Sequence, residues 1–200
     1  LLAALGALLP ALLAALGALL PALLAALGAL LPSLLAALGV LFYLLYWLYV
    51  LAPQVIGIFS RATEEEYAWL TDILQSRFSV FSFYVGNSNY QNFISEASRC
   101  NFAILYHSKT RGRVNITDVT DSLYDHELEH LSETLGKRRV VVVADDLDES
   151  SWETKRRILE NQPSISRLGQ ELFLFTKHDK QSPNLRSNVE PLVKLFHSGK

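Results

Sequence analysis

The chain has 200 residues, half of them apolar, a net charge of −2 at pH 7 and a single cysteine, Cys100. The near balance of charge leaves no basic stripe to neutralise phosphates, so no nucleic acid is expected as a partner. One thiol excludes an internal disulfide and fits a reducing compartment.

The charges are unevenly placed, for the first of them is Arg61. A unit of eleven residues, Leu-Leu-Ala-Ala-Leu-Gly-Ala-Leu-Leu-Pro-Ala, starts at Leu1, Leu12 and Leu23, and the third copy ends in Ser33. A fourth copy starts at Leu34 and gives way after Gly39 to an aromatic-rich run. The stretch is several times too long for a secretory signal and lacks its basic start. Leu and Ala favour helix, and eleven residues make three turns, so equivalent positions drift by only ~20° per repeat. Gly6, Gly17, Gly28 and Gly39 then fall nearly in line, and Pro10, Pro21 and Pro32 form a second line that removes backbone donors and tends to kink the helix. Small residues on one side let a second backbone approach closely, which is how helices associate without a hydrophobic driving force between them. Residues 1–53 are therefore expected to be helical and buried by lipid or by other copies of the chain.

A membrane span needs about 20 apolar residues, which Ser33 to Leu51 alone supplies. Phe42, Tyr43, Tyr46, Trp47 and Tyr49 are the amphipathic aromatics expected at the membrane–water boundary. Leu1 to Pro32 is long enough for a second span. A hairpin turning near Pro21 or Pro32 and one long kinked helix are thus both open. A plain anchor, an ordered self-association driven by the Gly/Pro repeat, and a hairpin lying in a lipid monolayer are the three readings of this segment. The chain contains no methionine, as expected of a processed product or a fragment.

From Val55 the pattern changes to short apolar runs, namely Val55–Phe59, Val80–Val85, Phe102–Tyr106, Val140–Ala144 and Leu172–Phe175. Most are apolar on both faces, as in strands covered by helices on each side. Helical patterns lie between them. Thr63 caps one reaching Arg77, with Glu64, Glu65 and Glu66 in its first turn, where the dipole favours acids. Tyr90 to Arg99 is a shorter helix. Asp121 or Ser122 starts one that ends at Leu135 before Gly136, Ser150 or Ser151 starts another that ends before Pro163, and Asn184 or Ser187 starts the last. Strands alternating with helices predict residues 54–200 as an α/β domain, a five-stranded parallel doubly wound sheet of the flavodoxin-like order 2-1-3-4-5.

Ligands of such sheets bind beyond the carboxyl ends of the strands, here Ser60-Arg61, Gly86 to Asn89, His107 to Lys109, Asp145-Asp146 and Lys177-His178. None of these is a glycine-rich phosphate cradle. Asp145-Asp146 has no partner acid after the first strand, so a solvated acidic turn is expected rather than a magnesium site. His126 and His130 share a helical face without the order of a metalloprotease, so no metal is expected. Cys100 is expected to be a buried structural thiol. Asn115-Ile116-Thr117 has the form of a glycosylation acceptor and is expected to be a chance match.

The stretches Ser98 to Tyr106, Tyr124-Asp125-His126-Glu127-Leu128 and Arg139 to Val143 together resemble the central third of a Toll/interleukin-1 receptor (TIR) domain. The similarity lies in a strand ending in a serine-bearing loop, an aromatic-x-x-Glu-Leu helix start and a further buried strand. The loop from Gly86 to Asn89 stands where that family keeps its assembly loop. The family's R-D-x-x-P-G loop and late Phe-Trp box are missing. The resemblance implies a self-assembling interaction domain. It also implies an enzyme alternative, in which Glu127 is the residue that cleaves NAD and Ser60, Arg61 and His107 hold the nucleotide. The expected function is a membrane-anchored scaffold or signalling protein with its α/β domain in the cytoplasm, whose partners are itself and membrane lipid and which needs no cofactor. NAD enters only in the enzyme alternative. A pore-forming or lipid-coating role for the repeat is a third reading.

Overall fold

The computed structural model describes residues 2–51 and 53–198, with the side chains of 2–12, 22 and 49–51 outside the description. The chain divides into two compact units, Leu1–Ala52 and Pro53–Lys200. The first is a single helix, α1 (Leu2–Leu51), with no turn at Pro21 or Pro32. The hairpin left open by the sequence is therefore not formed, because an apolar helix that keeps its ladder across each proline loses one donor rather than a whole turn of hydrogen bonds. Its described leucines are exposed, from 41% at Leu38 to 66% at Leu30 and Leu48. A Cβ added at Gly17, Gly28 or Gly39 would meet nothing within 4 Å.

The second unit runs β1 (Val55–Ser60), α2 (Glu64–Gln75), β2 (Ser79–Tyr84), α3 (Tyr90–Ala97), β3 (Phe102–Ser108), α4 (Asp125–Leu135), β4 (Val140–Leu147), α5 (Trp152–Asn161), α6 (Pro163–Leu168), β5 (Glu171–Thr176), α7 (Lys177–Gln181) and α8 (Leu185–Ser198). All neighbouring strands are parallel, in the order β2-β1-β3-β4-β5. This is a flavodoxin-like doubly wound sheet.

Two cores follow from the alternation of side chains along the strands. Ile56, Ile58, Ile104, Val141 and Val143 bury one face against Tyr67, Leu70 and Leu74 of α2 and Val189, Leu192 and Phe196 of α8. Phe59, Leu105, Val140 and Val142 bury the other against Phe93 of α3, Leu128 and Leu131 of α4, Ile158 of α5 and Ile165 of α6. β3 is buried along its whole length, as a central strand between two helical layers must be.

Four local features depart from the sequence expectation, the first being α6, a short helix that Pro163 opens where none was expected. α4 begins at Asp125, because the preceding loop takes positive φ at Asp118 and Asp121 and closes on Asp125, whose carboxylate accepts from the Asp118 amide at 2.8 Å. A further short helix, α7, is capped by the Thr176 hydroxyl, which accepts from the Asp179 amide at 3.0 Å. β4 continues through Asp145 and Asp146 to Leu147 across a register shift, with Asp146 at φ 57. The acidic pair is thus part of the sheet and not a solvated turn.

Candidate functional site at the carboxyl edge of the sheet

Two polar clusters crown the carboxyl ends of the strands. The first is centred on Arg61, immediately after β1. Its Nε donates to the Leu123 carbonyl at 3.0 Å, Nη1 to Asn87 Oδ1 at 2.6 Å and Nη2 to Glu127 Oε1 at 3.2 Å. Its backbone amide donates to the Tyr124 hydroxyl at 2.9 Å. Tyr124 is buried, which pushes its phenol up to about 12 and keeps it protonated. Arg61, Gly86, Asn87, Tyr90, His126 and Glu127 line a cavity of about 470 Å³. The Gly86–Asn89 loop is held in shape by Asn89, which accepts from the Gly86 amide at 2.8 Å and donates to the Tyr84 carbonyl at 2.8 Å.

The second cluster is centred on Asp145, which is fully buried. Its carboxylate accepts from Trp69 Nε1 at 3.2 Å, from Lys180 Nζ at 3.0 Å, from the Asp146 amide at 2.6 Å and from the Tyr106 hydroxyl. Lys180 also reaches Asp146 at 2.7 Å, and Ser108 donates to Asp146 at 2.6 Å. Burial raises the Asp145 carboxyl above its ordinary value, outweighing Tyr106, the Asp146 amide and Lys180. Asp146 goes the other way, because its bonds to Lys180 and Ser108 outweigh burial. Burial lowers Lys180, but the two aspartates more than compensate, so the ammonium is held above its usual value.

Of the residues the sequence singles out, Arg61 and Glu127 are brought together, while Ser60 and His107 are wholly buried and do not line that cavity. Ser60 donates to the Tyr106 carbonyl at 2.9 Å and accepts from the Ala62 amide at 2.9 Å, which uses both functions of its hydroxyl. His107 bonds through Nε2 to the Arg113 carbonyl at 2.9 Å, and its Nδ1 has no partner. Burial pushes its basicity down, so the imidazole is neutral and Nε2 is the donor. Cys100 is buried, with its thiol pushed up to about 11. Among the described residues no group of three or more His, Cys, Asp or Glu side chains is placed to hold a metal ion. On α1, Phe42, Tyr43, Tyr46 and Trp47 are exposed, and Trp47 meets Tyr43 and Tyr46 edge-on at 6.1 and 6.4 Å. The side chains of Tyr49, Gly6 and Pro10 lie outside the described residues.

Sequence reasoning missed Trp69, Tyr106, Tyr124 and Lys180 as members of these clusters, and named Asn87 only as part of the Gly86 to Asn89 loop. The available signal was Tyr106 at the end of an otherwise wholly apolar run, a polar tip that must find a partner once buried. Lys180 gave none, since its partners lie 34 and 35 residues away.

No family model matches the chain, and no curated protein matches it. Among solved structures it is similar to the response regulator domain of CheB from Thermotoga maritima, with 12% identity and a TM-score of 0.44, over 74% of this chain and 97% of that one. The fold assignment rests on the chain's own strand order.

Proposed function

We propose that the chain is a membrane-anchored, self-associating scaffold that displays a TIR-like α/β interaction domain on the cytoplasmic side. The observation that carries this reading is α1, an uncharged helix of 50 residues with exposed leucines, followed in the chain by a domain that buries its own two cores. At 1.5 Å per residue such a helix is about 75 Å long, against a hydrocarbon layer of about 30 Å. Lipid alone covers less than half of it, and helix–helix contact is the remaining way to remove the rest from water. Clustered anchors raise the effective concentration of the attached domains, so that weak lateral contacts become populated. The test is reconstitution of the full chain into phosphatidylcholine vesicles, followed by flotation after an alkaline wash and by chemical cross-linking. Floating material that cross-links into discrete multimers is expected. A monomer that stays in the aqueous fraction without detergent sinks the proposal.

A second reading is favoured by the placement of Glu127 in the cavity with Arg61, Tyr90 and His126. In a TIR-type NAD hydrolase the bond between nicotinamide nitrogen and ribose breaks, the carboxylate stabilises the ribosyl cation, and water adds to it with loss of a proton. Arg61 must first release Glu127, since the two are ion-paired at 3.2 Å. Nicotinamide released from NAD by the chain and lost in Glu127→Gln would establish this reading, and its absence leaves the scaffold.

A further inference from the structure

The edge at which the strands begin differs in charge from the edge that carries the two clusters. The Ser79 amide donates to the Gln54 carbonyl at 3.0 Å, and Val55 exchanges two bonds of 2.8 Å with Asn101. The turns that precede β2 and β3 therefore flank the start of β1. Val140 lies opposite Ala103 in the ladder, which brings the turn before β4 to the same edge. The end of α8 arrives there too, because Phe196 packs on Phe78 and Phe102 with ring centroids 5.9 and 5.1 Å apart. This edge presents Arg77, Arg99, Lys137, Arg138, Arg139 and Lys194, all exposed. Arg77 is paired with Glu190 and Arg99 with Glu96, and Glu171 is taken by Lys155. Lys137 bonds only to the Ser166 carbonyl, and Arg138, Arg139 and Lys194 have no acidic partner among the described residues. The opposite edge carries Glu64, Glu65, Glu66, Asp145, Asp148 and Asp179, and its cations are taken up by acids, Arg61 by Glu127, Lys109 by Asp148, Arg111 by Glu66 and Lys180 by Asp145 and Asp146.

We infer that this basic edge is a docking surface for the anionic lipid headgroups of the membrane in which α1 is anchored. The inference rests on the anchoring reading above and adds to it a lipid class and a face of the domain. Two observations choose lipid over a protein partner. The first is charge, since cations without acidic partners gather on one edge while Arg61, Lys109, Arg111 and Lys180 at the other are neutralised by acids, so an anionic sheet attracts the first edge more strongly. The second is reach, since the four peptide units from Leu51 to Val55 span at most about 14 Å and β1 starts at this very edge. Arg138 and Arg139, just ahead of β4, stand two strand spacings of about 4.8 Å from the start of β1, within reach of a headgroup layer met through that short linker. Local sequence hides this, because the nearest basic residue to the helix is Arg61, which is consumed at the far edge by Asn87 and Glu127.

The experiment follows amide hydrogen exchange of the full chain in vesicles of phosphatidylcholine alone and of phosphatidylcholine with phosphatidylserine. In the anionic vesicles, exchange at residues 137–139 should slow by at least about fivefold, the gain of one cation at an anionic surface, while the carboxyl-edge loops stay unchanged. The protection should disappear at high salt, where the field is screened, and in the double variant Arg138→Glu with Arg139→Glu. Equal exchange in both kinds of vesicle, with α1 still protected, overturns the docking surface and leaves the anchor standing. Failure of the chain to float with either vesicle removes the anchor, and the docking surface falls with it.

Discussion

Asp145 and His107 are both shut away from water at the carboxyl edge, and their titrations pull stability in opposite directions. The folded His107 imidazole binds its proton more weakly than the unfolded one, whose ordinary value is 6.5. Between those two values the unfolded chain holds more protons, so stability falls as pH drops below 6.5, by up to about 1.4 kcal/mol per pH unit, and levels off below the folded value. His107→Gln keeps a donor for the Arg113 carbonyl and cannot titrate. Urea unfolding followed from about pH 7 to pH 5 should therefore show a shallower loss in the variant than in the parent, and parallel slopes would place the unpartnered Nδ1 in contact with water. For Asp145 the folded value lies above the ordinary 3.8, so the folded chain takes up the proton first, and stability gains as pH falls through that value. Lys180→Met removes the cation that opposes burial. It should cost about 2–3 kcal/mol at pH 7, below the usual figure for a fully buried pair because Lys180 retains some solvent. The cost should shrink as the pH is lowered and Asp145 becomes neutral, and a pH-independent cost would assign it to lost packing instead.

At the scale of the element, β1 is fixed by a glycine. A Cβ at Gly57 would sit 2.7 Å from Phe59 Cε2 and 3.0 Å from Phe81 Cζ. Phe59 cannot yield, since it is wedged against Phe81, Phe83 and Phe93 at centroid distances of 6.0, 6.2 and 5.3 Å. Gly57→Ala should cost about 1–3 kcal/mol by overpacking, more than the ~0.4–1 kcal/mol recovered from the unfolded chain. Phe81→Leu made together with it should restore part of that loss. A double-mutant cycle in urea reads the coupling, and strict additivity would show that the clash relaxes elsewhere. The five strands were legible because runs such as Val140 to Val143 have no polar face to offer water. The start of α4 and the whole of α7 were not. Lys177-His178-Asp179-Lys180-Gln181 contains no apolar residue, and its helix follows from the Thr176 cap and from the grip of Lys180 on two distant carboxylates. Asp145 and Asp146 read as a solvated turn for the same reason. Adjacent acids carry no local sign of a cation on another element, and the register shift that turns Asp145 inward depends on β5. In the candidate site, Arg61 and Glu127 were each picked out by the resemblance, but their pairing needs the crossover that sets α4 beside β1.

For the whole molecule, the open question of physical substance is what the exposed stripe on α1 meets. Leu13 to Leu48 is uncharged over 36 residues, with Ser33, Tyr43 and Tyr46 among its few polar groups, so no charged face fixes one rotation of the helix, and leucine packing alone would allow many. The glycines break that degeneracy. Gly17, Gly28 and Gly39 recur at the repeat period and leave open space where a Cβ would project, so a second backbone can approach nearest along that line and gain dispersion contacts that a leucine there would block. Replacing all three by Leu raises helix propensity and apolar area together, so a mechanism driven by greasiness alone predicts equal or stronger association. A mechanism of close backbone approach predicts the opposite, a weakening of roughly tenfold or more in the dissociation constant. Sedimentation of the full chain and the triple variant in the same detergent, at several ratios of protein to micelle, separates the two. A smaller particle for the variant assigns assembly to the glycine line, and an unchanged or larger one assigns it to leucine burial.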